Sequence, residues 1–345
     1  MEPKKKKILI ITASSILAVL LIVGGFFYYF FLSSQFHPSK NIYLLVYPKD
    51  NAEAVYKKIE AQANPDHIAA FYWLAKHFDY ADHVQPGRYL IKKGDNCLMV
   101  FHRLDKGRQA PVDLTIGSVR TMDKMAHYLS TQLMMDSAQV AAKLNDTTYM
   151  ASIGYTPESV PALFIPETYQ MYWTISLDDF FKRMLKENKT FWNAERLKKA
   201  STLGLTPTQV SIFASIIEEE TNNKTEKPMV AGMYLNRYNA GMPLQADPTI
   251  KFAVKNFELR RVSGAILRVK SPYNTYINIG LPPGPIRIPT VESIDAVLNR
   301  TKHNYLFMCA KNDFSGTHAF ATTFQEHMQN ARKYWKTLNE NKIYK

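Results

Sequence analysis

The longest apolar stretch of the chain comes first. Residues 8–32 carry no charge and consist mainly of Ile, Leu, Val, Ala and Phe, long enough to span a bilayer as a tilted helix. Lys4, Lys5, Lys6 and Lys7 precede it, and Phe26, Phe27, Tyr28, Tyr29, Phe30 and Phe31 form an aromatic belt at its far end. A secretory signal is the competing reading, but its apolar region would be shorter and would end on small residues. The pattern predicts a retained anchor, with residues 1–7 as a cytoplasmic tail and everything after residue 32 outside.

Beyond the anchor the period changes. Residues 33–40 read as a polar linker. Alternation and β-branching predict a strand over 42–46, then helices over 52–63 and 65–77, a turn into a strand over 87–91, and a helix over 96–104 that stops near Gly107. Strand, helices and strand in residues 41–112 predict a small LysM-like α/β module whose default role is a spacer. Residues 113–345 predict a mixed α+β domain: a strand over 114–116, helices over 121–133 and 137–144, a loop over 163–169, and one long helix over 177–203 closed by Gly204. Helices over 206–221 and 227–239 follow. After two turn-rich stretches come a helix from Thr290, a hairpin over 305–320 and a last helix capped by Thr322. The fold class expected is α+β.

The 206–221 segment, TPTQVSIFASIIEEET, carries a full helix-start signal: Thr206 to cap, Pro207 at the first position and Gln209 to close a capping box. Val210, Phe213, Ile216 and Ile217 recur at helical spacing. With Phe213 at zero and about 100° per residue, Ile216 falls at about −60°, Ile217 at about +40° and Glu220 at about −20°, within the apolar stripe. Glu218 and Glu219 fall roughly 120–140° to either side, toward solvent. A carboxyl group held against apolar walls has a raised pKa, which is what a general acid at neutral pH requires. The competing reading is a structural acid paired with Arg or Lys.

Composition narrows the partners. A net charge of +13 suits nucleic acid, anionic lipid or an acidic polymer. The lysines are scattered, however, and there is no zinc-ligand spacing, helix-turn-helix or ribonucleoprotein motif, which argues against nucleic acid. No phosphate loop, dinucleotide fingerprint or HExxH is present, so no cofactor and no metal is assigned. His318 and His327 read as ordinary hydrogen-bonding residues. Cys97 and Cys309, both in apolar runs, read as buried free thiols, with a bridge as the alternative in an oxidising compartment. Asp247 before Pro248 is a strong cap pair, so capping is its default role. The stretches 271–276 and 280–286 are turn-rich, rigid and polar-aromatic, a kind of loop that tends to line sites although most such loops are plain surface.

Several stretches together resemble the MltG-type, YceG-like endolytic murein transglycosylases. They are Phe164-Ile165-Pro166-Glu167-Thr168-Tyr169, Ala214 through Thr221, Asn236-Arg237, Leu244-Gln245-Ala246-Asp247-Pro248-Thr249, Tyr273-Asn274-Thr275-Tyr276, Gly280 through Ile286, Gly316-Thr317-His318-Ala319-Phe320 and Glu326-His327. The resemblance runs from about residue 41 onward. It implies a single-pass inner-membrane protein with a LysM-like domain and a catalytic domain in the periplasm. The implied activity cuts the β-1,4 bond between N-acetylmuramic acid and N-acetylglucosamine inside nascent strands, leaving 1,6-anhydro ends. The family's catalytic glutamate, the last of its Ile-Glu-x-Glu-Thr motif, falls on Glu220. Glu167, Gln245, Asp247, Tyr273 and Asn274 are the candidates for positioning sugar. Penicillin-binding synthases and the elongation or division machinery are the implied partners. Residues 115–120, TIGSVR, depart from the Pro-Glu-Gly that many relatives carry there. Two other readings stand beside this one: a hydrolase in which Glu167 or Asp247 activates water, and a non-enzymatic glycan-binding scaffold.

Overall fold

Tertiary structure was obtained as a computed structural model that describes residues 3–259 and 262–341. Met1 and Glu2 of the basic tail lie outside the described residues. Helix α1 (Pro3–Phe27) takes in the lysine run as well as the apolar stretch, and continues as a π-helical turn over Tyr28–Leu32. It is the one helix among the described residues that is by itself long and apolar enough to cross a membrane, and its side chains are exposed along its length. The chain divides into two compact units. The first contains residues 1–113, 132–134 and 170–175, and the second contains the rest.

In the first unit, β1 (Ile42–Val46) pairs antiparallel with β2 (Gly87–Ile91), Ile42 opposite Ile91 and Val46 opposite Gly87. Period-two alternation sends Leu44, Val46, Tyr89 and Ile91 into the core. Between the strands run α2 (Ala52–Ala63), capped by the Asn51 side chain, and α3 (Ile68–His77). Helix α3 starts three residues later than its pattern suggests, because Pro65 is held in a bridge to Phe36 and cannot lie in the helix. Helix α4 (Cys97–Asp105), capped by Asn96, closes the core over Phe71 and Phe101.

Residues 33–40 are not a loose linker. Phe36 is fully buried in this core, and the amides of Gln35 and Phe36 both donate to the Asp95 carbonyl, at 3.0 and 3.2 Å. Part of the aromatic belt is also used here: Phe31 meets the Trp73 ring edge-on, and the Tyr29 hydroxyl lies 2.9 Å from His67 Nε2. Burial pushes the Cys97 thiol up to about 12, so it is an inert core residue, and both cysteines are free.

Strands β3 (Val112–Thr115) and β4 (Thr168–Met171) are short. β4 begins inside what the pattern predicts as a loop. In the second unit, α5 (Met122–Gln132), α6 (Ser137–Asn145) and α7 (Thr147–Ser152) follow one another. The last is absent from the sequence reading. It starts because the Asp146 side chain accepts the Tyr149 amide at 2.9 Å. The expected long helix over 177–203 is two helices, α8 (Leu177–Phe191) and α9 (Ala194–Thr202), since Asn193 turns its side chain back to cap the second.

Helix α10 (Pro207–Glu220) forms with its full capping box and is buried from Val210 through Ile217. It packs against α11 (Lys227–Asn239), α12 (Asp247–Ala253) and α13 (Val291–Leu298), and Thr290 caps α13. A hairpin of β5 (Phe307–Ala310) and β6 (His318–Ala321) precedes α14 (Phe324–Glu340), which is capped by Thr323 rather than Thr322.

The proline- and glycine-rich segment 280–288 is seated on α10: the buried Ser215 hydroxyl accepts the Ile286 amide at 3.1 Å. Gly284 permits the approach, since a Cβ there would stand 1.8 Å from the Glu158 carbonyl oxygen. We expect Gly284→Ala to destabilise the protein by about 2 kcal/mol or more. Thermal unfolding of the purified full chain in detergent would show this as a lowered Tm, and an unchanged Tm would contradict the close approach.

Candidate active site

The three glutamates that end α10 have different surroundings. Glu218 accepts from the Thr290 amide at 2.6 Å, the Thr290 hydroxyl at 2.8 Å and the Ser118 hydroxyl at 3.0 Å. Glu219 accepts from Arg120 Nε at 2.6 Å and Nη2 at 3.0 Å, and from Arg287 Nη1 at 2.7 Å. The helical wheel predicts that both point to solvent, but neither does; their side chains are 10% and 15% exposed. The wheel treats the helix as isolated, whereas segments 115–120 and 284–290 cover both flanks. The TIGSVR stretch thus has a definite task, supplying Ser118 and Arg120 to these carboxylates.

Among the described residues Glu220 has one hydrogen-bond donor, the Tyr234 hydroxyl of α11 at 2.5 Å. It lies in a cleft of about 320 Å³, lined also by Arg237 of α11, Gln245, Asp247, Tyr276, the β5–β6 hairpin and the start of α14. Burial pushes its pKa up to about 7, with the Asp247 carboxylate adding to the rise; the Tyr234 hydrogen bond, His318 and Lys251 pull the other way. The burial effect is larger, so at neutral pH a substantial fraction of Glu220 is an uncharged acid.

Asp247 does not cap α12. Ala246 occupies the cap position without a side-chain bond, and the Asp247 carboxylate accepts the Tyr276 hydroxyl at 2.5 Å instead. Tyr276 ionises well above the usual phenol range, through burial and then its bond to Asp247, and so stays a donor. On the hairpin side, Glu226 accepts the His318 amide at 2.5 Å, the His318 ring Nδ1 at 2.9 Å and the Thr221 hydroxyl at 3.0 Å. Burial works against its charge, but these bonds outweigh it and its pKa is lowered. The His318 ring is thereby oriented at the edge of the cleft.

Of the residues singled out in sequence, the structure brings Glu220, Gln245 and Asp247 into one cleft. Glu167 is exposed, its carboxylate accepting the next amide, Thr168, at 3.0 Å, and it does not line the cleft. Asn274 is fully buried and organises its own loop: it donates to the carbonyls of Leu267 and Val269 and accepts the Tyr276 amide. Tyr273 lines a different depression of about 260 Å³, with Phe252, Phe257 and Arg120. Sequence reasoning did not single out Tyr234, Arg237, Tyr276 or the Glu226–His318 pair as site residues. The readable signal was the spacing of Tyr234 and Arg237, which are three apart on one helix and so share a face. Among the described residues no group of three or more His, Cys, Asp or Glu could hold a metal ion.

The structure is thus a mixed α+β domain with an open cleft that holds a carboxyl of raised pKa. Residues 44–333 match the model of the YceG-like family, and the chain belongs to it. It is 29% identical over 290 residues to an endolytic murein transglycosylase of Bacillus subtilis, covering 79% of this chain and 78% of that one. It is 26% identical over 319 residues to an endolytic murein transglycosylase of Streptococcus pneumoniae, covering 82% of this chain and 56% of that longer protein. A crystal structure of a YceG-like protein from Listeria monocytogenes superposes with a TM-score of 0.54 at 25% identity, over 84% of this chain and 99% of that one.

The raised pKa of Glu220 has a consequence for stability. A carboxyl whose folded pKa exceeds its unfolded value of 4.5 contributes nothing unfavourable below pH 4.5, where both states are protonated, and opposes folding increasingly as pH rises toward about 7. Glu220→Gln should therefore be more stable than the parent at pH 8, by up to about 3 kcal/mol, and equal to it near pH 4. Tm measured across this range checks the sign, and a variant less stable at pH 8 would contradict an uncharged Glu220.

Proposed function

We propose that the chain is an endolytic lytic transglycosylase of peptidoglycan, with Glu220 as its acid and then its base. The observation that carries this is the single cleft carboxyl with a pKa near neutrality, joined to family membership. Neutral Glu220 protonates the leaving oxygen of the β-1,4 bond between N-acetylmuramic acid and N-acetylglucosamine. Tyr234 bonds to Oε1, which leaves Oε2 to carry the proton. The carboxylate so formed takes the proton of the muramoyl C6 hydroxyl as that oxygen closes on C1. The nucleophile belongs to the substrate, so its effective concentration is very high, and one protein carboxylate suffices where ordinary glycosidases use two. Asp247, steadied by Tyr276, faces the cation-like centre as a fixed negative charge.

Asp247 also supports a second reading, hydrolysis, because it lines the same cleft and could activate water. Glu167, exposed and outside the cleft, no longer supports it. The strand–helix–helix–strand unit is proposed as a LysM-like spacer or glycan-binding module, and α1 as an inner-membrane anchor with a cytoplasmic N-terminus. Penicillin-binding synthases and the elongation or division machinery are the proposed partners.

Glu220→Gln should retain the fold and lose about 10²–10⁴-fold in strand cleavage. Mass spectrometry of digested glycan strands should show only 1,6-anhydro muramoyl ends, one water lighter than hydrolytic ends, arising inside strands. Water-added ends would move the assignment to hydrolysis and make Asp247 its base. For topology, a periplasm-active reporter fused after residue 345 should be active and a cytoplasm-only reporter silent; the reverse would exclude the wall substrate.

A further inference from the structure

Arg237 is a buried cation without an acid. Its residue is 8% exposed, and among the described residues it forms no ion pair. A guanidinium carries five N–H donors. Here Nη1 donates to the Leu244 carbonyl at 3.0 Å and Nη2 to the Gln245 side-chain oxygen at 2.6 Å, while buried Nε has no acceptor. Holding a charge in the interior on neutral partners is costly; the guanidinium carbon lies 5.6 Å from the Phe307 ring centre, and Nη2, whose acceptor comes from the exposed Gln245, is the donor a ligand in the cleft can reach.

The present occupant indicates which ligand. Gln245 is exposed at the rim, with a left-handed backbone (φ 54°) that turns its side chain inward, and what it offers Arg237 is an amide oxygen. A second unpartnered polar atom belongs to a side chain of the cleft wall: Nδ1 of His327, buried just behind the surface, whose ring stacks on Phe307 at 5.6 Å. Burial, and then the charge of Arg237, lower the His327 pKa, so the ring is neutral at neutral pH and able to accept a hydrogen bond. A secondary amide offers both complements, a carbonyl oxygen for Arg237 and an N–H for His327.

We propose that Arg237 and His327 form a recognition site for the 2-acetamido group of a sugar, with the Gln245 side-chain amide oxygen holding the place of the acetamido oxygen on Arg237. This deepens the reading of the cleft as a glycan site and rests on it. On binding, the acetamido oxygen displaces the Gln245 oxygen from Nη2, and Gln245 swings to solvent.

The test uses two uncharged probes of equal length and linkage. Chitotetraose carries a 2-acetamido group on every ring, and cellotetraose carries a hydroxyl there. Both are titrated by NMR against the full chain in detergent. The parent should bind chitotetraose about 10–100-fold tighter, the range for a hydrogen bond to a charged group. Arg237→Lys, which cannot reproduce the guanidinium fork, should lose most of that preference. Because Arg237 is buried, its Tm is measured alongside, and a second variant avoids the core: Gln245→Gly, which the left-handed backbone accepts, should bind chitotetraose more tightly by removing the internal competitor. Equal affinity for the two sugars in the parent, or a preference unchanged in Arg237→Lys, overturns the assignment. So does weaker chitotetraose binding in Gln245→Gly, or competition by a lactoyl-alanine amide that outmatches chitotetraose. These outcomes concern binding alone; strand cleavage by the parent and by Glu220→Gln reports separately on the reaction.

Discussion

Three consecutive carboxylates at the C-terminal end of a buried helix cannot all be charged without compensation, because the helix dipole and the apolar surroundings both oppose negative charge there. The fold spends its strongest donors on two of them. Arg120 and Arg287 are committed to Glu219, and the Thr290 amide and hydroxyl to Glu218. Glu220 is left with one phenol, Tyr234. Burial with so few donors raises its pKa: the same residue type, one position along, is held by several donors or by one according to what covers it.

That distribution depends on segments remote in sequence arriving at the right height on α10. Residues 280–288 arrive because Gly284 allows backbone contact with Glu158 and because Ser215 takes the Ile286 amide. Arg287 and Thr290 then reach Glu218 and Glu219 from the same direction. On the other side, Ser118 and Arg120 come from residues 115–120, so this stretch serves the charge balance of the helix end.

The rim of the cleft is built differently, from loops whose polar residues have their own hydrogen-bond needs. Asn274 spends its amide on the carbonyls of Leu267 and Val269 and thereby fixes the turn that presents Tyr276 to Asp247. Tyr273, three residues earlier, faces a separate depression beside Phe252. A single short loop thus serves two concavities, and α12 does the same through Asp247 and Phe252.

Local chemistry was legible in the sequence. The capping box of α10, the span of α11 and the apolar helix α1 follow from cap residues and short-range periodicity, which act within a few positions of chain. Where a local signal had a competitor, tertiary structure decided. Asn193 split the long helix, Phe36 drew a polar segment into a core, and Tyr276 took Asp247 away from its cap. The burial of Glu218 and Glu219, the exclusion of Glu167 and Asn274 from the cleft, and the unpaired charge of Arg237 all rest on which distant segments meet. Periodicity reports which way a side chain points; it does not report what comes to lie opposite, and for a charged group that neighbour sets the free energy.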